Sequence, residues 1–255
     1  MSSPDLFPPG VALVAGGSGG VGRAVCEALA RAGADVAFTY RSNRKAAGEV
    51  SAAIGAAGRR AHAVALDLCD RAGCERAVAE ISAQCGRIHT LILATGGDIS
   101  MTYTADIEPA EWDDIIAADL TGNWNLLRAV LPELRKGGGS IVAMTSAGLH
   151  RHPPKDILSV VPKAGVEALM RGIAREEGRY GVRANSLALG VIDIGLFERL
   201  RERLTPEFVE SMKKNTALRR FGTAEEVGEA TVFLASSRSG FITGQSIAID
   251  GGYSV

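Results

Sequence analysis

The sequence predicts a doubly wound α/β fold, with a parallel sheet of seven strands and helices on both of its faces. Short aliphatic runs alternate with segments of helical periodicity along nearly the whole chain, and 31 of the 255 residues are glycine. Apolar residues make up 46% of the chain, which is enough for a sizeable core. No linker or repeat divides the sequence, so residues 1–255 are predicted to form one domain.

The predicted strands are short runs that are apolar on both faces, as strands covered on both sides require. They occupy residues 11–15, 36–40, 61–66, 90–94, 140–144, 183–189 and 246–249. In the first helix Val21, Val25 and Leu29 recur at intervals of four residues, and Gly33 follows as a stop signal. Further helices are predicted over residues 45–57, 75–85, 109–136 and 157–180.

Charge and composition exclude several classes of function. The net charge of −1 creates no field that attracts nucleic acid or anionic lipid. No apolar run approaches the ~18 residues of a membrane span, and the first five residues lack the features of a secretory signal. The cysteines form no CxxC pair and no metal-binding spacing. We therefore expect a cytoplasmic enzyme or enzyme-like domain with unpaired thiols and no metal, nucleic-acid or membrane partner.

Residues 192–220 interrupt the alternation of strands and helices after the sixth predicted strand, and they are rich in charged side chains. Two interpretations stay open. The segment is either a helical surface exposed to solvent or a lid over the functional site. The second interpretation follows because ligands of open parallel sheets bind beyond the carboxyl ends of the strands.

A glycine-rich turn joins the first predicted strand to the first predicted helix, with the sequence Gly16-Gly-Ser-Gly-Gly-Val-Gly22. Glycines permit a tight turn and let the backbone approach a pyrophosphate, whose charge then faces the helix N-terminus. Since the turn lies between a strand and a helix of one βαβ unit, it predicts a dinucleotide site.

The residues that follow the second predicted strand favour NADP(H) over NAD(H). An acidic residue there would accept a hydrogen bond from the ribose of NAD and repel a 2′-phosphate. This chain has Arg41 and Ser42 instead, with Arg44 and Lys45 close behind. Arg41 can form a bidentate pair with a phosphate, and Ser42 can donate a hydrogen bond to it.

Motifs along the chain resemble those of the short-chain dehydrogenase/reductase family over essentially its whole length. The motifs are Gly16-x3-Gly20-x-Gly22, Asp67-Leu68, Lys163-Ala-Gly-Val166, Arg183-x-Asn185, Thr243-Gly-Gln245 and Asp250-Gly-Gly252. The chain is similar to the 3-oxoacyl-carrier-protein reductase and the enoyl/2,4-dienoyl-CoA reductase branches. The resemblance implies a Rossmann-type sheet, a small-molecule substrate such as an acyl thioester, and a homodimer or homotetramer formed through residues 109–136 and 157–180.

The resemblance also implies which residues contact the cofactor. Carried over position by position, they are Gly16, Ser18, Gly19, Gly20, Val21, Gly22, Arg41, Ser42, Asp67, Leu68, Thr95, Gly96, Lys163 and Ile192.

The catalytic positions of the family are only partly retained. In this family a tyrosine donates a proton to the substrate, and a lysine four residues later lowers the tyrosine pKa and holds the nicotinamide ribose. A serine orients the carbonyl group, and an asparagine anchors a water relay. Here Lys163 stands at the lysine position and Ser146 at the serine position, with neighbouring Thr145 as a competitor. The tyrosine position holds Ser159, and the asparagine position holds Asp119.

Other departures surround these positions. The family's Asn-Asn-Ala-Gly motif is replaced by Leu93-Ala-Thr-Gly96, its Pro-Gly pair after the sixth strand becomes Leu189-Gly190, and a threonine that would hold the carboxamide becomes Ile194. The family's phosphate loop is therefore intact, whereas its proton donor is missing. A positioned general acid contributes typically 10²–10⁴-fold to a rate, so this loss would cripple an ordinary ketoreductase.

Three interpretations follow from the missing tyrosine. The protein is a reductase with another acid, a scaffold for non-redox chemistry such as cyclisation or elimination, or a cofactor-binding partner or sensor with little turnover. Candidates for another acid are His150, His152, Tyr103 and Asp119. Ser146 and Lys163 favour the first interpretation, because both stand where a reductase needs them. The substrate itself depends on the loops 97–106, 149–157 and 194–214.

Overall fold

The computed structural model describes residues 6–201 and 204–255, so the first five residues, which bear on the signal prediction, lie outside the described part. Seven parallel strands form one sheet in the order β3-β2-β1-β4-β5-β6-β7. The strands are β1 (Val11–Ala15), β2 (Asp35–Tyr40), β3 (Ala61–Ala65), β4 (Ile88–Leu93), β5 (Gly139–Ser146), β6 (Val182–Leu189) and β7 (Ser246–Ile249). The strand order reverses between β1 and β4, where folds of this class bind ligands. The predicted fold class is confirmed.

The helices are α1 (Gly20–Arg31), α2 (Arg44–Ala56), α3 (Arg71–Cys85), α4 (Pro109–Ile116), α5 (Gly122–Arg135), α6 (Gly148–Arg151), α7 (Ile157–Glu177), α8 (Leu196–Arg201), α9 (Pro206–Lys214) and α10 (Ala224–Ala235). One predicted boundary was wrong. Helix α3 begins at Arg71 rather than at residue 75, because the Asp70 carboxylate caps it by accepting a hydrogen bond from Gly73 N at 2.9 Å. The predicted long helix 109–136 is present as α4 and α5, which are joined without a break by a π-helical turn, Ala117–Thr121.

Helices cover both faces of the sheet and enclose two apolar cores. Leu13 of β1 packs with residues of α3, α5 and α7 on one face, whereas the next residue, Val14, packs with α1, α2 and α10 on the other. This alternation is the two-residue period of a strand whose two faces are both buried. The core residues therefore fix the register of the sheet and hold the carboxyl ends of its strands at one edge, where the predicted site residues lie.

The charge-rich segment 192–220 folds beyond the carboxyl end of β6 and contains α8 and α9. It has a small apolar cluster of its own, in which the rings of Phe197 and Phe221 lie 4.6 Å apart and Val209 is buried beside them. Its function as a lid stays a prediction. Among all residues that the structure describes, no helix has the length and apolarity needed to span a membrane.

Candidate active site

The glycine-rich turn at the end of β1 has a backbone that only glycine fits at key positions. Gly16 has a φ of +75°, a region that favours glycine. A side chain on Gly22 would collide with the Gly16 carbonyl oxygen. Thr39 at the end of β2 fixes the turn, because its carbonyl oxygen accepts a hydrogen bond from Gly17 N at 2.9 Å and its hydroxyl oxygen accepts one from Gly16 N at 3.2 Å.

Helix α1 starts directly from this turn without a side-chain cap at its N-cap residue, Gly19. The first backbone N–H groups of α1 are thus left for another acceptor, and Ser18 and Val21 lie half-buried on either side of the helix start. A phosphate group is the acceptor that this end of a helix favours, because of the free N–H groups and the helix dipole.

The segment after β6 approaches the glycine-rich turn closely. A Cβ atom on Gly20 would lie 2.7 Å from Gly195 Cα, so only two glycines facing each other allow this contact. The Ile192 side chain is buried against Gly222, and the Ile192 carbonyl oxygen accepts a hydrogen bond from Ile194 N at 2.8 Å. The turn and the segment together form a cradle with backbone walls, which fits the pyrophosphate of a dinucleotide.

The residues after β2 that are predicted to favour NADP(H) lie at the same edge of the sheet as the glycine-rich turn. Arg41, Ser42, Arg44 and Lys45 are all accessible to solvent. None of them takes part in an ion pair within residues 6–201 and 204–255. Asn43 has a structural function instead, since its side chain accepts a hydrogen bond from Ala46 N at 3.0 Å and caps α2. The positive charges of Arg41, Arg44 and Lys45 are therefore available to bind a phosphate group.

The predicted contacts that follow β3 and β4 lie at the same edge of the sheet. The Asp67 carboxylate accepts a hydrogen bond from Cys69 N at 2.9 Å, and the Leu68 side chain is buried against Gly122. Thr95 and Gly96 follow β4, and Gly96 is exposed. The structure therefore brings the predicted cofactor contacts to one edge, and their binding function stays a prediction.

Lys163 is the centre of a buried polar network. Its Nζ atom donates a hydrogen bond to the Thr95 carbonyl oxygen at 2.6 Å and forms an ion pair with Asp119 Oδ2 at 3.6 Å. Both ionic side chains are about nine-tenths buried, with 11% and 8% of their surface exposed. The hydrogen bond and the ion pair fix the position of the Lys163 ammonium group.

The π-helical turn places Asp119 in this network. The Asp119 carbonyl oxygen accepts a hydrogen bond from Asn123 Nδ2 at 2.7 Å, and Asn123 Oδ1 accepts one from the Thr95 hydroxyl at 3.1 Å. Such π-helical turns occur frequently at functional sites. Through Asn123 the turn that contains Asp119 is tied to Thr95 after β4, so Asp119 and Lys163 meet although they lie far apart in the sequence.

Ser146 is the last residue of β5, and its function in the site stays a prediction. Its Oγ atom accepts a hydrogen bond from Gly148 N at 3.0 Å. The competing residue, Thr145, does not share this environment: it is buried, and its hydroxyl donates to Glu167 Oε1 at 3.0 Å and to the Leu187 carbonyl oxygen at 3.3 Å. Thr145 therefore has a structural function, because successive side chains of a strand point to opposite faces.

Ser159 is half-buried in the first turn of α7, one turn before Lys163. Its hydroxyl group makes no hydrogen bond within the described part of the chain, and its backbone N–H donates to the Asp156 carbonyl oxygen at 3.0 Å. The two side chains share a helix face because they are four residues apart. The hydroxyl is shorter than a phenol, so it leaves space at the position where the family has its proton donor.

Asp156, which the sequence analysis did not identify, lies at the N-terminus of α7 beside Ser146. A Cβ atom on Gly148 would lie 3.0 Å from Ser146 Oγ and 3.1 Å from Asp156 Oδ2, so both oxygen atoms border the same narrow space. Burial raises the pKa of the Asp156 carboxyl group to about 6. The available signal was an aspartate directly before a predicted helix, but this position is typical of an ordinary helix cap.

Three of the four candidates for another acid are exposed to solvent. His150 and His152 lie on the surface of α6 and the turn after it, and Tyr103 is 59% exposed with Lys155 Nζ 4.7 Å from its ring centroid. Water therefore surrounds these groups instead of a closed site. The fourth candidate, Asp119, is buried and paired with Lys163 as described above.

This chain belongs to the short-chain dehydrogenase/reductase family of oxidoreductases. The family whose sequence profile is described as Enoyl-(Acyl carrier protein) reductase matches residues 15–254. Among curated proteins, the chain is 31% identical over 242 residues to the 3-oxoacyl-(acyl-carrier-protein) reductase of Staphylococcus epidermidis, covering 94% of this chain and 97% of that protein. It is 29% identical to the peroxisomal 2,4-dienoyl-CoA reductase of Saccharomyces cerevisiae, covering 98% and 85% of the two proteins.

Solved structures agree with this assignment. Levodione reductase superposes with a TM-score of 0.92 at 29% identity, covering 97% of this chain and 98% of that one. The short-chain dehydrogenase/reductase from Serratia marcescens BCRC 10948 gives a TM-score of 0.89 at 28% identity, covering 98% of this chain and 100% of that one. The resemblance inferred from the motifs is thus confirmed at the level of the family.

Proposed function

We propose that this protein is an NADP(H)-dependent reductase whose substrate is a carbonyl compound or an unsaturated acyl thioester. The observation that carries the proposal is the buried Lys163, held by Thr95 and Asp119 at the edge of the sheet where the glycine-rich turn lies. A structural ion pair would not need a lysine at the family's catalytic position. The names of the curated relatives support acyl thioesters as the substrate class.

The residues that would hold the cofactor are those of the cradle and of the basic segment after β2. The turn 16–22 and the N-terminus of α1 would bind the pyrophosphate, and Arg41 and Ser42 would bind the 2′-phosphate. Lys163 has three donor hydrogens, and one of them is used in the hydrogen bond to the Thr95 carbonyl oxygen. Asp119 Oδ2 lies 3.6 Å away as an ion-pair partner, so donor hydrogens remain for a ribose hydroxyl group.

When bound, NADPH supplies the hydride of the reduction. Ser146 then orients the substrate: because its Oγ atom accepts a hydrogen bond from Gly148 N, its own hydroxyl hydrogen is left for a substrate oxygen. Lys163 places a positive charge near the developing negative charge, and its burial strengthens that interaction.

Equilibrium binding tests the cofactor part of this proposal. We expect NADPH to bind at least tenfold more tightly than NADH, which corresponds to about 1.4 kcal/mol. Arg41→Ala should remove most of that preference and leave NADH binding unchanged. Arg31→Ala, which changes an exposed arginine at the other end of α1, is the matched control. Equal affinities of the unaltered protein for the two cofactors, measured by titration calorimetry, would contradict the assignment.

Steady-state oxidation of NADPH tests the reaction. A panel of ketones, 3-oxoacyl thioesters and 2,4-dienoyl thioesters should contain at least one substrate that consumes NADPH. The serine at the tyrosine position favours a second candidate function, a protein that binds NADP(H) with little turnover. Tight NADPH binding without oxidation by any substrate would support that second function, whereas a product formed without NADPH consumption would indicate non-redox chemistry.

The assembly of the protein as a homodimer or homotetramer also belongs to this proposal. The partially exposed Trp124 on α5 supports an interface there, with the Arg71 guanidinium carbon 5.1 Å from the centroid of its ring. Light scattering during size-exclusion chromatography would give the number of chains.

A further inference from the structure

We propose that Asp156 is the proton donor of this enzyme and performs the step that Ser159 cannot perform. The inference rests on the proposed reductase function. It assigns a catalytic function to a residue that lies outside the family's catalytic positions, and it explains how the cofactor site can serve a reaction although the tyrosine is absent.

The position of Asp156 on the helix is the first observation. Asp156 is the N-cap of α7, and Ser159 and Lys163 follow it after three and seven residues. Residues at these intervals lie on one face of a helix. Asp156 therefore lies on the same face of α7 as Ser159 and Lys163, about one turn nearer to the N-terminus than Ser159.

The second observation is the space that Asp156 shares with Ser146. As described above, a single methyl group at Gly148 would touch both Asp156 Oδ2 and Ser146 Oγ. Val160 Cγ2 borders the same position at 3.1 Å. Asp156 Oδ2 and Ser146 Oγ are therefore neighbours, and a substrate oxygen that accepts a hydrogen bond from Ser146 would lie near Asp156.

The third observation is that the fold does not use the Asp156 carboxyl group. At other helix starts such side chains form caps, as Asp70 does for α3, but the Asp156 side chain makes no capping hydrogen bond. It also forms no ion pair within the described part of the chain. Burial without a partner favours the neutral form of a carboxyl group, which is the form that donates a proton. Its pKa of about 6 lies near neutral pH, where a general acid is most effective.

The charged and titratable neighbours of Asp156 come from the C-terminal tail and from α6. Burial raises the pKa of the Tyr253 phenol, the Arg151 charge opposes this effect, and the Asp156 charge adds to it. Arg151 is held away from the carboxyl group by Tyr253, since its guanidinium carbon lies 4.9 Å from the Tyr253 ring centroid and Nη1 donates to the Tyr253 carbonyl oxygen at 2.9 Å. Lys155, the adjacent residue, contacts Tyr103.

The other acids are less suited to the step. Asp119 is already engaged by Lys163, whose Nζ atom lies 3.6 Å from Asp119 Oδ2. His150 and His152 are exposed, and Tyr103 is 59% exposed. Tyr253 lies next to Asp156, but its raised pKa makes it a weaker acid.

For a ketone, the carbonyl carbon would receive a hydride from the reduced nicotinamide, and the C=O π bond would break as the new C–H bond forms. The Asp156 O–H bond breaks and its proton goes to the substrate oxygen, which leaves the Asp156 carboxylate. A proton from water then restores the acid. The ketone is reduced to an alcohol, and the nicotinamide is oxidised.

The test compares Asp156→Asn, which keeps the shape but has no acidic proton, with Asp156→Glu, which keeps the acid. We expect Asp156→Asn to lower kcat by 10²–10⁴-fold with the best substrate of the panel, while KM and the Kd of NADPH stay within about threefold. Asp156→Glu should recover at least a tenth of the kcat. Tyr253→Phe is the matched control, and it should keep most of the activity.

Two measurements separate proton donation from a structural function. The kcat of the unaltered enzyme should fall above about pH 6, since only the protonated carboxyl group donates, and this limb should vanish in Asp156→Asn. Independently of turnover, infrared difference spectra between the unaltered protein and Asp156→Asn should show a protonated carboxyl band at pH 5 that disappears by pH 8.

The outcomes distinguish this inference from the function on which it rests. If the unaltered enzyme consumes no NADPH with any substrate, the proposed function fails, and the donor assignment fails with it. If the enzyme is active and Asp156→Asn keeps its kcat and pH profile, only the donor assignment fails. A rise of KM at constant kcat would show that Asp156 binds substrate, and it would also overturn the assignment.

Discussion

The proposed nucleotide half of the site comprises residues 16–22, 41–42 and 192–195, and it differs in construction from the proposed catalytic half, which comprises Asp119, Ser146, Asp156, Ser159 and Lys163. Backbone atoms line the nucleotide half, as the facing Gly20 and Gly195 show. Polar side chains line the catalytic half, and several of them depart from the family pattern. A binding site built from closely packed backbone atoms accepts few residue types other than glycine. An acidic side chain, in contrast, can donate a proton from any neighbouring position that faces the same space.

The largest effect should come from Lys163, which serves both halves. We expect Lys163→Ala to abolish turnover and weaken NADPH binding. It should also lower the free energy of unfolding by about 3 kcal/mol or more, because Asp119 would be left as a buried charge without a partner. Urea unfolding and NADPH titration measure the two effects.

The matched control for that variant is the double variant Lys163→Met with Asp119→Asn. It removes both charges, so most of the lost stability should return although turnover does not. A single Lys163→Ala variant that binds NADPH and turns over like the unaltered protein would show that the catalytic half has been wrongly placed.

The next largest effect is the pH dependence of the free energy of unfolding that Asp156 causes, and it concerns the catalytic half alone. Burial raises the folded-state pKa of Asp156 to about 6 from the ordinary value of 3.8. The stabilisation by the neutral carboxyl group is thus fully present below about pH 4 and is lost as the pH rises through 6. Between pH 4 and pH 8 the unaltered protein should lose up to ~3 kcal/mol relative to Asp156→Asn. Parallel stability curves of the two proteins, from urea unfolding across this range, would refute the burial of this carboxyl group.

A smaller effect is expected in the nucleotide half, at Gly20. Gly20→Ala places a methyl group against Gly195 backbone atoms that cannot rotate away, so the segment after β6 must shift. The expected loss in unfolding free energy is ~1–3 kcal/mol, within the range for overpacked sites. Gly19→Ala is the control, since the nearest atom to its Cβ is the Gly16 carbonyl oxygen at 3.4 Å, and it should change stability by less than ~0.5 kcal/mol. Equal losses in the two variants would mean that the segment does not contact the turn.

The fold and the backbone shape of the glycine-rich turn were largely predictable, because both depend on local patterns. Apolar runs with a two-residue period locate the strands, and a glycine-rich turn between a strand and a helix locates the cradle. The helix start at Arg71 was missed because a cap outside the apolar pattern defines it. The π-helical turn within the helix 109–136 was also missed, because such a turn has no sequence signal of its own.

The catalytic half was less predictable because contacts between distant residues define it. The sequence places Lys163 and Asp119 by resemblance, but their ion pair depends on how the π-helical turn meets α7. Asp156 has the sequence pattern of an ordinary helix cap. The function that we propose for it rests on its burial and its position beside Ser146, and neither property can be read from neighbouring residues.

The most direct test of the account measures NADPH oxidation by four proteins: the unaltered enzyme, Ser159→Tyr, Asp156→Asn and the double variant. If the acid has moved from position 159 to Asp156 within an otherwise ordinary reductase site, a phenol one turn from Lys163 should replace it. The ketone turnover of Asp156→Asn should then rise ten- to a thousandfold when Ser159→Tyr is added. A folded double variant that binds NADPH and gains no turnover would contradict the claim that the two positions face the same reacting atom.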